Sequence, residues 1–214
     1  MTAAAPVEIA RTDTDALLGR ARSLAARGGR RLLGITGSPG AGKSTIAAEV
    51  VAALGEDAVL VPMDGFHLAQ ARLEALGLTA TKGAIDTFDG GGFVHLLRRL
   101  RAADEDVVHA PTFRRDLEEP IAGAIAVDRR TPLVVVEGNY LLVEEPPWDE
   151  VAGLLDETWF VDPGPLRREW LVNRHMTFGR DRAAAEERSD GSDQVNALLI
   201  EATRHRADVL VTGA

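Results

Sequence analysis

Apolar residues along the chain fall into short continuous runs that alternate with longer stretches in which they recur at helical spacing. The continuous runs predict strands over residues 32–36, 58–63, 107–111, 133–137, 157–161 and 207–211. The spaced stretches predict helices over residues 12–27, 45–54, 68–76, 93–103, 148–155 and 165–176, with a last helix from about 192. Strands that alternate with helices are typical of a parallel sheet covered on both faces. We therefore expect an α/β fold with about five parallel strands.

The N-terminal part of the chain is predicted to add a helix to this sheet. Residues 1–30 contain apolar positions at helical spacing behind Asp13, a residue type that caps helices. A chain of 214 residues, of which 45% are hydrophobic, suits one sizeable α/β core and is too short for two average domains. Residues 1–214 are therefore expected to form a single domain.

Two segments look like additions to the sheet. Residues 121–127 and the turn 128–132 are predicted to form a small hairpin that leads into the strand 133–137. The Arg- and Glu-rich segment at about 176–192 is predicted to form a small helical lid. The polar stretch 79–92 is too long for a simple connection, which indicates a functional loop.

A glycine-rich motif lies between the first predicted strand and the helix that follows it. It reads Gly37-Ser38-Pro39-Gly40-Ala41-Gly42-Lys43-Ser44-Thr45, which is the spacing of a P-loop. In a P-loop, backbone N–H groups and a helix N-terminus bind a polyphosphate. We expect Lys43, exposed at the mouth of the loop, to reach the outer phosphates and the Ser44 hydroxyl to bind Mg²⁺. The alternative is a glycine-rich turn with a chance lysine.

Charge and composition narrow the classes of function. The formal net charge is −9, which argues against a general nucleic-acid or membrane-surface binder, because both need a basic face. The chain has no cysteine, which excludes disulfides and thiolate metal sites. It shows no secretory leader pattern and no apolar run long enough to span a membrane. These features predict a soluble cytoplasmic protein; assembly as a homodimer is left open.

Two acidic residues follow predicted strands, at the edge of the sheet where ligands of such folds bind. Asp64 comes directly after the second strand, and the interpretation we prefer is a general base for phosphoryl transfer. A Mg²⁺-linked role and an Asp-Gly turn are the alternatives. Glu137 ends the strand 133–137 and fits the carboxylate that holds Mg²⁺ through water. A helix cap or a loop carboxylate is the alternative for Glu137.

Six segments, spread over about residues 32–212, form a recognisable series in addition to the P-loop. They are Met63-Asp64-Gly65-Phe66-His67, Thr81-Lys82-Gly83-Ala84-Ile85-Asp86-Thr87-Phe88-Asp89, Ala110-Pro111-Thr112-Phe113, Val135-Val136-Glu137-Gly138-Asn139-Tyr140, Asn173-Arg174-His175-Met176-Thr177-Phe178 and Thr203-Arg204-His205-Arg206-Ala207-Asp208. In this order they resemble motifs of the P-loop kinases that include type I pantothenate kinase, uridine kinase and phosphoribulokinase. The bacterial nucleoside and sugar kinase-like relatives of these enzymes are the most similar group.

The resemblance implies roles for particular residues. Asp64 would be the catalytic base, and Arg174 would be the lid arginine that contacts the moving phosphoryl group. Arg180 and Arg204 would contact the nucleotide. Substrate contacts are implied for His67, Lys82, Asp86, Phe88, Arg115, Tyr140 and Phe178. For Arg174 the alternative is an exposed helix arginine, and for His67 it is a packing or capping residue.

The chain departs from the pantothenate enzymes at three positions in these segments. Phe113 and Arg115 stand where those enzymes have Tyr and His, and Leu171 stands where they have Tyr. These changes remove polar partners that pantothenate would need, so we expect pantothenate to be a poor acceptor. Arg114 and Arg115 would instead suit an acidic or phosphorylated acceptor, unless they are surface arginines paired with Asp116 or Glu118.

Together these features predict an ATP- and Mg²⁺-dependent kinase that phosphorylates a hydroxyl of a small molecule, most readily a nucleoside or a sugar-like compound. Two other classes of protein are considered. A GTPase switch would explain the DxxG-like sequence Asp89-Gly90-Gly91-Gly92, but no strand precedes it and the chain lacks the Asn-Lys-x-Asp guanine motif. A regulatory ATPase would hydrolyse ATP without an acceptor.

Overall fold

The structure, a computed structural model, describes residues 5–213. Its helices are α1 Thr14–Ala25, α2 Lys43–Leu54, α3 Gln70–Leu76, α4 Gly90–Ala102, α5 Val151–Leu154, α6 Arg167–Thr177, α7 Arg182–Asp190 and α8 Ser192–Glu201. Its strands are β1 Val7–Ala10, β2 Arg31–Thr36, β3 Ala58–Pro62, β4 Val107–Arg114, β5 Glu119–Asp128, β6 Leu133–Glu137, β7 Glu157–Val161 and β8 Val209–Thr212.

Six of these strands form one parallel sheet in the order β1-β8-β7-β2-β6-β3. The predicted parallel α/β fold is confirmed, with one strand more than the expected five. The additional strand is β1, which pairs with β8 at the edge of the sheet. It has four residues, most of them exposed, so it lacks the buried apolar run that marks the other strands.

Helices cover both faces of the sheet, and the sheet separates two hydrophobic clusters. Leu24 of α1 and Ile46 of α2 pack on one face, where the Asp13 side chain caps α1 as predicted. Phe93 and Leu97 of α4 pack on the other face. Each such side chain, when fully buried, contributes about 1.5–3 kcal/mol of transfer free energy. The strand β6 lies between β2 and β3 and is buried along its whole length, as its apolar sequence predicts.

The strand prediction was wrong about the segment 107–128. Residues 107–111 were expected in the parallel sheet, and residues 121–127 were expected in a hairpin that leads into 133–137. Instead β4 and β5 pair with each other as an antiparallel hairpin outside the main sheet. The turn of this hairpin lies at residues 115–118, where Glu118 adopts a left-handed φ of 55°.

The predicted lid region contains the end of α6 and all of α7. The expected last helix is α8, which begins at Ser192. The assignment of the chain to one domain with a lid at about 176–192 stays a prediction. Across residues 5–213, none of the helices combines the length and the apolar character that crossing a membrane requires.

Candidate active site

The P-loop connects β2 to α2, as the sequence predicts. Its glycines Gly37, Gly40 and Gly42 have φ of +143°, +80° and +86°, which a residue with a side chain rarely adopts. A Cβ atom on Gly37 would also lie 2.5 Å from the Val161 carbonyl oxygen of β7. Ser44, in the first turn of α2, is exposed toward the neighbouring cavity. The loop is therefore a backbone cradle at the carboxyl end of the sheet.

Lys43 is buried, whereas the sequence led us to expect it exposed at the mouth of the loop. Its side chain folds under the loop, and the ammonium group donates a hydrogen bond to the Ser38 carbonyl oxygen at 3.0 Å. Burial lowers the pKa of Lys43, while the charges of Glu137 and Asp64 oppose this shift. The two carboxylates thus help to keep a buried lysine protonated beside the cradle.

The two predicted carboxylates lie on neighbouring strands. Glu137 is the last residue of β6 and pairs in register with Pro62 of β3, and Asp64 follows two residues after Pro62. Burial raises the pKa of the Glu137 carboxyl, with Asp64 adding to the shift and the Lys43 ammonium opposing it. Asp64 is partly exposed to the cavity and accepts a hydrogen bond from Arg115 at 3.0 Å. The carboxylates therefore stand in different surroundings.

The β4–β5 hairpin contributes Arg115 and Phe113 to the lining of the cavity. It packs closely on the turn that holds Asp64, since a Cβ atom on Gly65 would lie 2.5 Å from the Pro111 carbonyl oxygen. The Arg115 guanidinium lies 5.9 Å from the ring centre of Phe113 and 5.6 Å from that of Phe178 in the lid region. Arg115, from the hairpin, therefore contacts both the Asp64 carboxylate and Phe178 of the predicted lid region.

Arg174 projects from α6 into the cavity, as expected for a lid arginine. Arg174 is exposed to the cavity, and the protein atoms near it partly desolvate the guanidinium, which lowers its pKa. Arg115 lowers the pKa further, while Asp64 and Glu137 oppose the shift. The guanidinium is thus close enough to interact electrostatically with both carboxylates.

The residues expected at the acceptor form one wall of the cavity. The Lys82 ammonium lies 5.2 Å from the ring centre of Phe113 and pairs with Glu118 at 3.4 Å. The His67 ring lies between Phe88 and Phe113, at centroid distances of 4.0 Å and 4.8 Å. Its Nδ1 is 2.8 Å from the Asp64 carbonyl oxygen, and burial lowers the pKa of His67. His67 therefore both packs and faces the cavity.

The cavity has a volume of about 630 Å³, within the range of small-molecule sites. It brings together the predicted Pro39, Lys43, Ser44, Asp64, His67, Lys82, Phe88, Arg115, Glu137, Arg174, Phe178 and Arg180. The predicted phosphate side and the predicted acceptor side thus belong to one continuous space.

Several predicted residues lie outside the lining of this cavity: the P-loop residues Gly37, Ser38, Gly40, Ala41, Gly42 and Thr45, and four residues beyond the loop. Tyr140 is fully buried behind the wall, where its hydroxyl donates to the Gly83 carbonyl oxygen at 2.6 Å. Asp86 is exposed, and Arg204 pairs with Asp162 at 2.7 Å. Arg114 pairs with Asp116 at 2.6 Å, which is the surface arrangement we had considered for it. Direct substrate or nucleotide contacts of Tyr140, Asp86 and Arg204 stay predictions.

Three arginines near the site had no predicted role. Arg11 donates to the carbonyl oxygens of Ala41 and Gly42 in the P-loop, at 2.9 Å and 3.2 Å. Arg167 donates to the Pro39 carbonyl oxygen of the same loop at 2.9 Å. Arg188 of α7 donates to the backbone of the loop before Gly83. Backbone acceptors carry no sequence signature, so the composition of the chain gives no signal for these contacts.

Comparison with known proteins decides the family. A Schizosaccharomyces pombe protein named "Putative uridine kinase C227.14" is 31% identical over 209 residues, which cover 92% of this chain and 89% of that protein. The chain belongs to the P-loop kinase family. An Aspergillus versicolor "ATP-dependent kinase-like protein notR'" is 38% identical over 161 residues, covering 71% of this chain and 94% of that protein. The resemblance seen in the motifs is thereby confirmed.

A solved structure extends the comparison to the fold of this kinase. The "putative fructose transport system kinase" from Silicibacter sp. TM1040 superposes with a TM-score of 0.82 at 37% identity, covering 93% of this chain and 98% of that one. No family model matches the chain.

The sequence Asp89-Gly90-Gly91-Gly92, which suggested a GTPase switch, has a structural role in this kinase. The Asp89 side chain caps α4 by accepting a hydrogen bond from the Gly92 N–H at 2.8 Å.

Proposed function

We propose that the protein transfers the γ-phosphoryl group of ATP to a hydroxyl of a small molecule, and that the acceptor is a nucleoside or a sugar-like compound. One observation carries the proposal: a single cavity joins the P-loop, Asp64 and Arg174 to a wall of aromatic and basic side chains. A hydrolytic nucleotide switch does not require such a wall. The names of two relatives, "Putative uridine kinase C227.14" and "putative fructose transport system kinase", support the same reaction type.

ATP and Mg²⁺ fit the residues on the phosphate side. The cradle is built from glycines whose conformation brings backbone close to a ligand, and Lys43 lies beneath it. The Ser44 hydroxyl is exposed next to the cavity, and the Glu137 carboxylate lies at its edge, so the two offer the hard oxygen ligands that Mg²⁺ prefers. When bound, Mg²⁺ would neutralise charge on the phosphates during transfer. Ser44 would bind it directly and Glu137 through water.

Asp64 and Arg174, which line the same cavity, would perform the transfer together. Asp64 accepts the proton of the acceptor hydroxyl as the oxygen attacks the γ-phosphorus, and the bond between that phosphorus and the leaving oxygen of ADP breaks. Arg174 stabilises the charge on the phosphoryl group in transit. Lys43 would exchange its bond with the Ser38 carbonyl for the phosphates.

Arg115 would release Asp64 when an acceptor with an acidic or phosphate group, such as a sugar phosphate, binds. The Arg115–Asp64 pair is partly exposed, with 39% and 30% of the two side chains accessible, and pairs of this kind contribute about 1 kcal/mol or less. An acceptor that carries an acidic or phosphate group can therefore take the guanidinium from Asp64 at small cost. The hydroxyl of the same acceptor would then reach the freed carboxylate.

A panel of acceptors tests the proposal. ADP release would be followed with ATP, Mg²⁺ and nucleosides, monosaccharides, sugar phosphates or pantothenate, and scored as kcat/KM above the background without an acceptor. We expect a nucleoside or a sugar-like compound to give the highest value. Pantothenate should be poor, because the side chains of Phe113 and Leu171 offer no hydrogen-bond partner for its amide and hydroxyl groups, and Arg115 can donate hydrogen bonds but cannot accept them.

Two results would contradict the proposal. If pantothenate gave the highest kcat/KM, the interpretation of Phe113, Arg115 and Leu171 as unfavourable for pantothenate would be wrong. If no acceptor raised ADP release above the background, a regulatory ATPase would replace the kinase.

A further inference from the structure

Arg11 contacts the P-loop but is not among the residues that line the cavity. It directly follows β1, and its backbone N–H donates to the Thr212 carbonyl oxygen of β8 at 2.7 Å. The side chain is only partly exposed and reaches two carbonyl oxygens of the loop, those of Ala41 and Gly42. The residue after the edge strand β1 thus places its planar guanidinium, which carries several N–H donors, against the P-loop.

The geometry of the peptide bond gives these contacts a consequence on the opposite side. In a trans peptide unit the C=O of one residue and the N–H of the next point in opposite directions. The only cis bond in the described chain is Pro146–Pro147, so the units of the P-loop are trans. Arg11, by holding the carbonyl groups of Ala41 and Gly42, therefore turns the N–H groups of Gly42 and Lys43 away from itself.

The unit between Ala41 and Gly42 is the one that most needs this support. The Gly42 carbonyl oxygen also accepts a hydrogen bond from Ile46 at 3.3 Å, so the start of α2 already orients it. The Ala41 carbonyl oxygen has no such partner in the helix, and Arg11 binds it at 2.9 Å. Within residues 5–213 the Gly42 N–H donates to no protein acceptor, which leaves it available for a phosphate oxygen.

The glycine at position 42 is explained by the same contact. A Cβ atom there would lie 1.9 Å from the Arg11 Nη2 atom, and the φ of +86° disfavours any side chain. The loop and the arginine therefore fit each other only when position 42 is glycine. Arg167 holds the opposite end of the loop through the Pro39 carbonyl oxygen.

We propose that Arg11 is a positioning residue for nucleotide binding: it orients the N–H groups of Gly42 and Lys43 toward the phosphates without touching the nucleotide. The inference rests on the proposed nucleotide site, because it concerns the affinity of the P-loop for a polyphosphate. The edge strand β1, which positions Arg11, would thereby contribute to nucleotide binding by the P-loop.

Calorimetric binding of Mg-ATP in the absence of any acceptor tests the inference. Arg11→Met keeps the apolar stem and removes both hydrogen bonds, and it should weaken binding about tenfold, the effect of losing roughly one net hydrogen bond. Arg11→Lys can bind one carbonyl oxygen in place of two, so its loss should be intermediate. In steady-state kinetics the KM for ATP should rise while the KM for the acceptor stays unchanged.

Control variants separate this role from a purely structural one. Arg22 of α1 is exposed, and Arg22→Met should bind Mg-ATP as the wild type does. Lys43→Ala should lose binding and so marks the P-loop as the site measured. Thermal unfolding of each variant shows whether the fold is kept; if Arg11→Met fails to fold, Arg11→Lys carries the test.

The outcomes separate failure of this inference about Arg11 from failure of the proposed function. Weaker binding by folded Arg11 variants, graded from Lys to Met, supports the inference. Wild-type affinity in a folded Arg11 variant would overturn it, even if the unfolding temperature had dropped. If the wild-type protein itself bound no Mg-ATP, the proposed function would fall, and the inference with it.

Discussion

Asp64 and Glu137 are carboxylates at the ends of neighbouring strands, yet the structure gives them different surroundings. Asp64 is partly exposed in the cavity and is held by Arg115, whereas Glu137 is buried beside Lys43. An exposed carboxylate can meet a hydroxyl of a small molecule, and a buried one suits a fixed charge such as a metal ion. The proposed roles of base and metal ligand follow from this difference.

Asp64→Asn should strongly slow phosphoryl transfer while leaving Mg-ATP binding intact. The amide keeps the shape of the carboxylate and can still accept a hydrogen bond from Arg115, but it cannot take a proton. We expect kcat to fall by about 10²–10⁴. Calorimetry of Mg-ATP binding and single-turnover kinetics would be measured together, and loss of binding in parallel with turnover would mean that Asp64 is mainly a metal ligand.

The raised pKa of Glu137 predicts a pH dependence of metal binding. Burial favours the protonated carboxyl, so as the pH falls Glu137 takes up its proton at a higher pH than an ordinary glutamate. Only the deprotonated form can hold Mg²⁺, even through water. The difference in ATP affinity with and without Mg²⁺ should therefore shrink as the pH is lowered from neutral.

Glu137→Gln is the matched control for this titration. The variant should lose much of the Mg²⁺-dependent affinity at every pH and should show a flat profile. A variant with the same pH profile as the wild type would assign the titration to another group.

Arg174→Ala should lower kcat by about 10²–10⁴ and change the affinity for ATP much less, because charge moves toward the guanidinium only in the transition state. Arg168 lies on the same helix, is exposed and pairs with Asp190 at 2.6 Å, so Arg168→Ala should keep wild-type kinetics. Comparable losses in ATP affinity and kcat for Arg174→Ala would indicate ground-state binding instead.

Helix α7 is hydrogen-bonded to the loop that carries Lys82. The Arg188 guanidinium donates to the carbonyl oxygens of Ala80 and Lys82, the first at 2.7 Å. Arg188→Met should therefore raise the KM for the acceptor more than the KM for ATP, because it loosens the acceptor wall and leaves the P-loop unchanged. Arg182→Met on the same helix removes only an exposed pair with Glu186 and serves as the control. An unchanged acceptor KM in Arg188→Met would mean that these hydrogen bonds have no effect on acceptor binding.

The elements also show what the sequence could and could not predict. The strand β6 was predictable because a run of buried β-branched residues has few other solutions in an α/β chain. The partner of β4 was not, because Val107-Val108 resembles the start of a parallel strand and pairing with β5 is decided by contacts between distant segments. The short edge strand β1 has no apolar run, so its pattern gave no signal.

The sequence likewise predicted some features of the candidate site and missed others. Motifs with fixed spacing located the P-loop, Asp64, Arg174 and Lys82, all of which border on the cavity. The burial of Lys43 was not foreseen, because it depends on how the first turn of α2 packs beneath the loop. The support of the loop by Arg11 was not foreseen either, because any residue can supply a backbone carbonyl group.

For the whole molecule, the proposed reaction depends on bringing two surfaces to one cavity. The parallel sheet places the P-loop, Asp64 and Glu137 at its carboxyl edge, and the β4–β5 hairpin adds Phe113 and Arg115 from outside the sheet. Sheets of this kind bind their ligands at that edge. The hairpin is thus the part of the fold that would distinguish acceptors, while the sheet serves the nucleotide.

The most direct test of the account is the identity of the product. The protein would be incubated with ATP, Mg²⁺ and the acceptor that scores best in the panel, and ³¹P NMR and mass spectrometry would follow where the γ-phosphoryl group goes. The account predicts a phosphorylated acceptor formed in equal amount to ADP by the wild type, and formed about 10²–10⁴ times more slowly by Asp64→Asn. ADP accompanied only by inorganic phosphate, at the same rate with and without acceptor, would contradict it.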